Sequence, residues 1–158
     1  MQYVIVDGER FTLAQFVAMD KSAATWVDAS GCTGLTTLDL PAATRVYASG
    51  CTGLTTLDLP AATWVYASGC TGLTTLDLPA ATTVDVGGCT GGPAICHAGK
   101  DSRGYSFDGL RTVQGLWVAA GCRYFDLATA RAHWGVGGPS DRADCRALVE
   151  TIAAWGQS

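Results

Sequence analysis

His97 and His133 are the only imidazoles in the chain, so general acid-base chemistry near neutral pH has two candidate side chains. Neither lies in a recognisable catalytic motif, and no phosphate-cradling glycine loop or nucleotide fingerprint occurs. His133 sits in Ala-Arg-Ala-His-Trp, where a packed or capping histidine is expected. Cys89, Cys96 and His97 are soft metal ligands close in sequence. No second ligand pair follows at finger spacing, so zinc would require Cys122, Cys145 or His133 to converge by folding. A small zinc or thiol enzyme built on the end pieces is thus an alternative, while the expectation is no enzyme, no metal and no cofactor.

Carboxylates and aromatics are more orderly. Asp39, Asp58 and Asp77 recur every 19 residues, flanked by Thr37, Thr56 and Thr75. Stacked, they would form a column of like charges that either stays solvated or meets a basic surface. Calcium needs six to eight oxygens in a closed arrangement, which a flat column does not supply. Two further columns read Trp26, Arg45, Trp64, Thr83 and Asp28, Tyr47, Tyr66, Asp85. Trp26, Arg45, Tyr47, Trp64 and Tyr66 are therefore the candidate aromatic and cationic contacts, beside the three aspartates.

These residues inherit their spacing from a repeat. SGCTGLTTLDLPAAT occurs at Ser30 to Thr44, Ser49 to Thr63 and Ser68 to Thr82, with Cys32, Cys51, Cys70 and Cys89 marking the period. A partial copy precedes it at Ala23 to Gly31, and the pattern decays after Cys89, where Gly92 stands in a leucine position. Leu38, Asp39, Leu40 alternate as a strand with both leucines inward, and Pro41 ends it. Val46 and Ala48 share the inward face of a second strand, with Arg45 and Tyr47 outward. Stacking would bury Leu35, Leu38, Leu40, Val46, Ala48 and Cys51 against their copies. Stacked thiols point the same way, so the cysteine column reads as free packing thiols rather than disulfides.

The Leu-x-x-Leu-x-Leu-Pro strand, the valine strand and the Ser-Gly-Cys-Thr-x-Leu corner resemble leucine-rich repeats of the BspA-like class, over about residues 23–91. The resemblance implies binding through an open sheet face and names no partner. The coil lacks that class's Ala-Phe stretch before the serine, which leaves a curved horseshoe and a straight β-helix both open.

The ends read as covers for an open solenoid. Residues 1–22 form a strand (Tyr3 to Val6), a turn at Asp7-Gly8 and a helix from Leu13, with Thr12 and Gln15 placed as a capping box. Residues 93–158 hold a strand at Leu116 to Ala120, a turn at Gly121, a helix from the cap Asp126 to about Trp134, and a helix over about Arg142 to Trp155. That last helix spaces Cys145, Leu148, Ile152 and Trp155 on one face. Gly8-Glu-Arg10-Phe11 and Gly121-Cys-Arg123-Tyr124 look alike, each soon followed by Leu-Ala. AGCRYFDLATARAHWG, residues 120–135, also resembles a terminal motif of uncharacterised phage and prophage proteins.

The fold expected is therefore a β-solenoid, leucine-rich-repeat-like, of 19-residue coils with parallel β ladders over residues 23–92, capped by small α/β end pieces. From Asp28 to Gly91 five acids face the single base Arg45, while nine acids and nine bases cancel elsewhere. The coils thus carry the whole formal charge of −4, which argues against direct nucleic-acid binding there and favours a basic partner. With no long apolar run and no basic-then-apolar leader, the expectation is a cytoplasmic chain with no membrane contact, or one in the host cytoplasm if phage-borne. The function expected is non-catalytic protein binding. An alternative is a phage inhibitor of a host defence nuclease, an anti-CRISPR or anti-restriction protein whose acidic face occupies a nucleic-acid-binding groove.

Overall fold

A computed structural model describes residues 2–89 and 93–158. The departure of the repeat at Gly92 lies outside the described residues. The chain opens with Tyr3–Val6 (β1) and Glu9–Thr12 (β2), an antiparallel hairpin about Asp7-Gly8. Both turn residues have positive φ, 49° and 92°, the type I′ geometry whose twist matches the strands. Helix α1, Leu13–Ala18, follows directly. Thr12 accepts from the Gln15 N–H while the Gln15 side chain accepts from the Thr12 N–H, the expected capping box. β2 was not among the expected elements: it is an exposed strand without apolar alternation, formed because the tight turn carries the chain back along β1.

The repeat then winds as a solenoid. Its valine strands are Trp26–Asp28 (β3), Arg45–Tyr47 (β5), Trp64–Tyr66 (β7) and Thr83–Asp85 (β9), and its leucine strands are Thr37–Asp39 (β4), Thr56–Asp58 (β6) and Thr75–Asp77 (β8). Both sets stack in parallel and in register, residue upon its copy 19 positions away. Leu38, Leu57 and Leu76 face Val27, Val46, Val65 and Val84 across a core in which all seven are buried. Because hydrogen-bonded ladders run on both sides of the coil, both sides keep the same ~4.8 Å strand spacing. Nothing wedges one side open, so the stack is built like a straight β-helix rather than a horseshoe.

The corners explain why so much of the repeat is invariant. Gly31, Gly50, Gly69 and Gly88 all take φ between 71° and 76°, where a side chain is strained. At Gly53 a Cβ would stand 2.3 Å from the Thr33 carbonyl oxygen of the coil before. Thr55 and Thr74 hydroxyls donate to the carbonyls of Thr36 and Thr55, while Thr44, Thr63 and Thr82 form a second such ladder. Cys51, Cys70 and Cys89 thiols donate to the carbonyls of Ala29, Ala48 and Ala67 at 3.0, 3.0 and 2.9 Å. The column is thus an S–H···O ladder of free, buried thiols, with burial pushing the Cys89 thiol up to about 11.

The far end is closed by an antiparallel sheet of Ile95–Lys100 (β10), Ser106–Thr112 (β11), Gly115–Ala120 (β12) and Arg123–Asp126 (β13), with helices Leu127–Trp134 (α2) and Ala143–Gly156 (α3). Ile95, Leu110, Trp117, Ala119 and Tyr124 continue the solenoid core, whereas Phe107, Val118 and Ala120 pack under Trp134, Val149 and Ile152 of the helices. Of the α3 face expected from spacing, Cys145 and Ile152 are buried but Leu148 and Trp155 are only half-buried, and Val149 and Ala153 complete the contact instead. Trp155 lies at the rim of this contact, with the guanidinium of Arg111 4.0 Å over its ring.

The two ends are alike in structure, both being hairpin then helix. Matching their turns pairs Asp7-Gly8 with Gly121-Cys122, and so sets Phe11-Thr12-Leu13-Ala14 against Phe125-Asp126-Leu127-Ala128, one residue out of step with the glycine match. Thr12 and Asp126 are then equivalent N-caps. At the start β1 pairs antiparallel with β3. At the end the Val113 N–H donates to the Leu76 carbonyl, and Gln114 accepts from the Leu78 N–H and donates to the Asp77 carboxylate.

Candidate functional site

Strand alternation sends Trp26, Arg45, Trp64 and Thr83, with Asp28, Tyr47, Tyr66 and Asp85, to the outer face of a sheet ordered β2-β1-β3-β5-β7-β9. Parallel register brings each beside its copy. The Arg45 guanidinium lies 4.5 Å over the Trp64 ring. Tyr47 and Tyr66 are stacked, centroids 5.0 Å apart and planes at 6°, and Trp26 meets Tyr47 edge-on at 6.3 Å. The five residues expected to act together therefore form one platform. The end pieces extend this sheet or abut it without covering it, and Trp64 stays 40% exposed. Tyr3, itself under the Arg10 guanidinium, and Ile5 continue the face past Asp28 and Ser30 along a shallow cleft of about 270 Å³, so the N-terminal cap also contributes to this surface, which no repeat period could signal.

Asp39, Asp58 and Asp77 stand in register on the leucine strands. Partial burial and the flanking carboxylates of Asp39 and Asp77 raise the pKa of Asp58. The column is uneven, however, because the Gln114 amide takes up Asp77. Asp39 and Asp58 are left to the solvent or a partner.

The chemistry-bearing residues of the C-terminal piece are dispersed. Cys96 and His97 are neighbours on β10 and so point to opposite faces of the sheet. His97 Nδ1 is instead hydrogen-bonded to Asp108, its cross-strand partner, whose pKa burial raises against the pull of that imidazole. Cys122, His133 and Arg123 line a cleft of about 400 Å³ with Arg103, and burial together with Arg123 lowers the pKa of His133. Among the described residues, Asp101, Asp144 and Cys145 alone cluster as metal ligands do. Asp101 already holds Arg103 at 2.8 Å, and Asp144 holds Arg142 at 3.1 Å, so this is an ion-pair node joining the β10–β11 loop to α3. The convergence of Cys89, Cys96 and His97 with Cys122, Cys145 or His133 that the zinc alternative would require is not found among the described residues.

No described helix is long and apolar enough to cross a membrane. No family model, curated protein or solved structure matches the chain.

Proposed function

We propose that the protein is a non-catalytic binding module, acting in the cytoplasm, whose protein partner docks on the outer face of the valine-strand sheet. One observation carries this reading. Coils that are otherwise copies differ where side chains leave the core, and the differing residues Arg45, Trp64, Tyr47 and Tyr66 are stacked into an open platform. Aromatic and arginine residues are enriched at binding hot spots, and stacking holds them in place before a partner arrives. The resemblance to BspA-like leucine-rich repeats supports binding through a sheet face, although the two-ladder coil departs from a horseshoe.

A second reading draws on the aspartate column and the charge of the coils: a phage-borne inhibitor that presents carboxylates to the basic groove of a host nuclease. It rests on Asp39 and Asp58 alone, since Gln114 occupies Asp77. Affinity capture from the native cell with the whole chain and with Trp64→Ala as baits tests the first reading. A protein retained by the one and lost by the other supports it, and identical captures reject it.

A further inference from the structure

The two ladders have four ends. β1 pairs with β3, Val113 and Gln114 seal β8, and β12 and β13 pack against β9. The fourth end, the outer edge of β4, has no strand beside it among the described residues. Thr36 accepts from Thr55 and Thr56, and the Leu40 N–H donates to the Asp58 carbonyl, so residues 36, 38 and 40 direct their backbone groups at β6. Strand alternation then turns the N–H and C=O of Thr37 and Asp39 outward. They face a groove of about 490 Å³ between β4 and α1, with Phe16, Met19 and Leu35 as apolar lining and Asp20 and Asp39 as acids. Lys21, the cation of this groove, is committed to the carbonyls of Val17 and Met19 at 3.1 and 3.0 Å.

The opposite edge of the same sheet shows what such an end calls for. There Gln114 supplies a backbone-like acceptor to Leu78 and an amide N–H to the last aspartate. The β4 edge has the matching backbone groups and the first aspartate, without the filler. We infer that the β4 groove takes an extended segment of a partner protein as an added strand, in the place of a preceding coil, with an apolar residue toward Leu35 and a Lys or Arg beside Asp39. Main-chain bonds to Thr37 and Asp39 supply general affinity, and the acid column selects the basic residue. This site is separate from the aromatic platform.

The probe is a fluorophore-labelled peptide, Gly-Leu-Thr-Thr-Leu-Lys-Leu-Pro-Ala, which copies Gly53 to Ala61 with lysine in place of Asp58. Anisotropy titration against the full chain should give saturable binding. Binding should weaken at least about tenfold for the copy that keeps the aspartate, for the lysine peptide N-methylated at the positions of Leu57 and Leu59, and for Asp39→Lys protein. Trp64→Ala should bind the probe as the parent does. N-methylation alters only the peptide, so its effect is independent of folding. Equal affinity for the three peptides, loss of binding with Trp64→Ala, or no saturable binding at millimolar protein overturns the inference.

Discussion

Arg45 and Trp64 hold the same place in consecutive coils, and the guanidinium of one covers the ring of the other at 4.5 Å. The contact exists because parallel in-register stacking sets equivalent residues side by side, so a difference of residue type between coils becomes a neighbour relation on the surface. An exposed pair of this kind contributes only about 0.5–1 kcal/mol to the fold. Its larger consequence is for binding, because two long side chains are already ordered when a partner approaches.

The interior depends on its leucines more than on any surface pair. Leu57 is fully buried between Leu38 and Leu76, and Leu57→Ala should cost ~2–5 kcal/mol in a denaturant or thermal melt. Thr56→Ala, on the other face, should change little. Thr55→Ala falls between, because its hydroxyl donates to the Thr36 carbonyl and that bond is worth ~0.5–1.5 kcal/mol. Equal midpoints for Leu57→Ala and Thr56→Ala would contradict the inward packing of the leucines.

The coils were legible in the sequence because one repeat dictates strand, corner and facing at once, and so Leu38, Val46 and Cys51 could be assigned inward from alternation alone. The platform was legible for the same reason, since Trp26, Arg45 and Trp64 share one position of the period. β10, β11 and β13 were not. Their residues, such as Cys96-His97 or Gly109, follow no period, and their pairing is imposed by contact with the last coil and with α3. Nor could the period show that Gln114, 37 residues away, would take up Asp77, or that α1 would leave the edge of β4 open. Those relations are made by tertiary packing.

The thiols divide sharply by environment. In folded protein at about pH 8 an alkylating reagent should modify exposed Cys122 first and leave buried Cys32, Cys51, Cys70, Cys89 and Cys145 unmodified until denaturant is added. Non-reducing mass spectrometry should find no disulfide among Cys32, Cys51, Cys70 and Cys89. A bridge between any two of them would be incompatible with thiols that each donate to a carbonyl.

Asp58 is partly buried and sits between two like charges, and these together hold its pKa in the folded state above the ordinary 3.8. The folded chain therefore holds that proton more tightly than the unfolded chain, so stability is lost as pH rises through the folded pKa. Asp58→Asn removes the repulsion. It should raise stability by about 0.2–1 kcal/mol at pH 7 and have almost no effect near pH 3, where the carboxyls are protonated in both states. Melts of both proteins at the two pH values check this, and a gain that persists at low pH would assign the effect to something other than charge.

The two proposed modes of recognition differ in what they ask of the surface, and one pair of variants separates them. On the platform, Trp64 is the most exposed of the stacked aromatics and the one that Arg45 braces. Trp64→Ala leaves Val65 and the core in place, so the melt should stay near the parent's while partner binding weakens by at least ~2 kcal/mol. Acidic mimicry makes the opposite demand: reversing Asp39 and Asp58 to lysine should abolish binding, and affinity for the partner should fall steeply with salt. Docking on stacked aromatics tolerates salt, because the desolvated rings carry the energy. Isothermal titration of the captured partner against both variants, at about 50 and 500 mM salt, therefore gives a distinct pattern for each mode. Unchanged affinity in both variants would show that neither coil face is the docking surface.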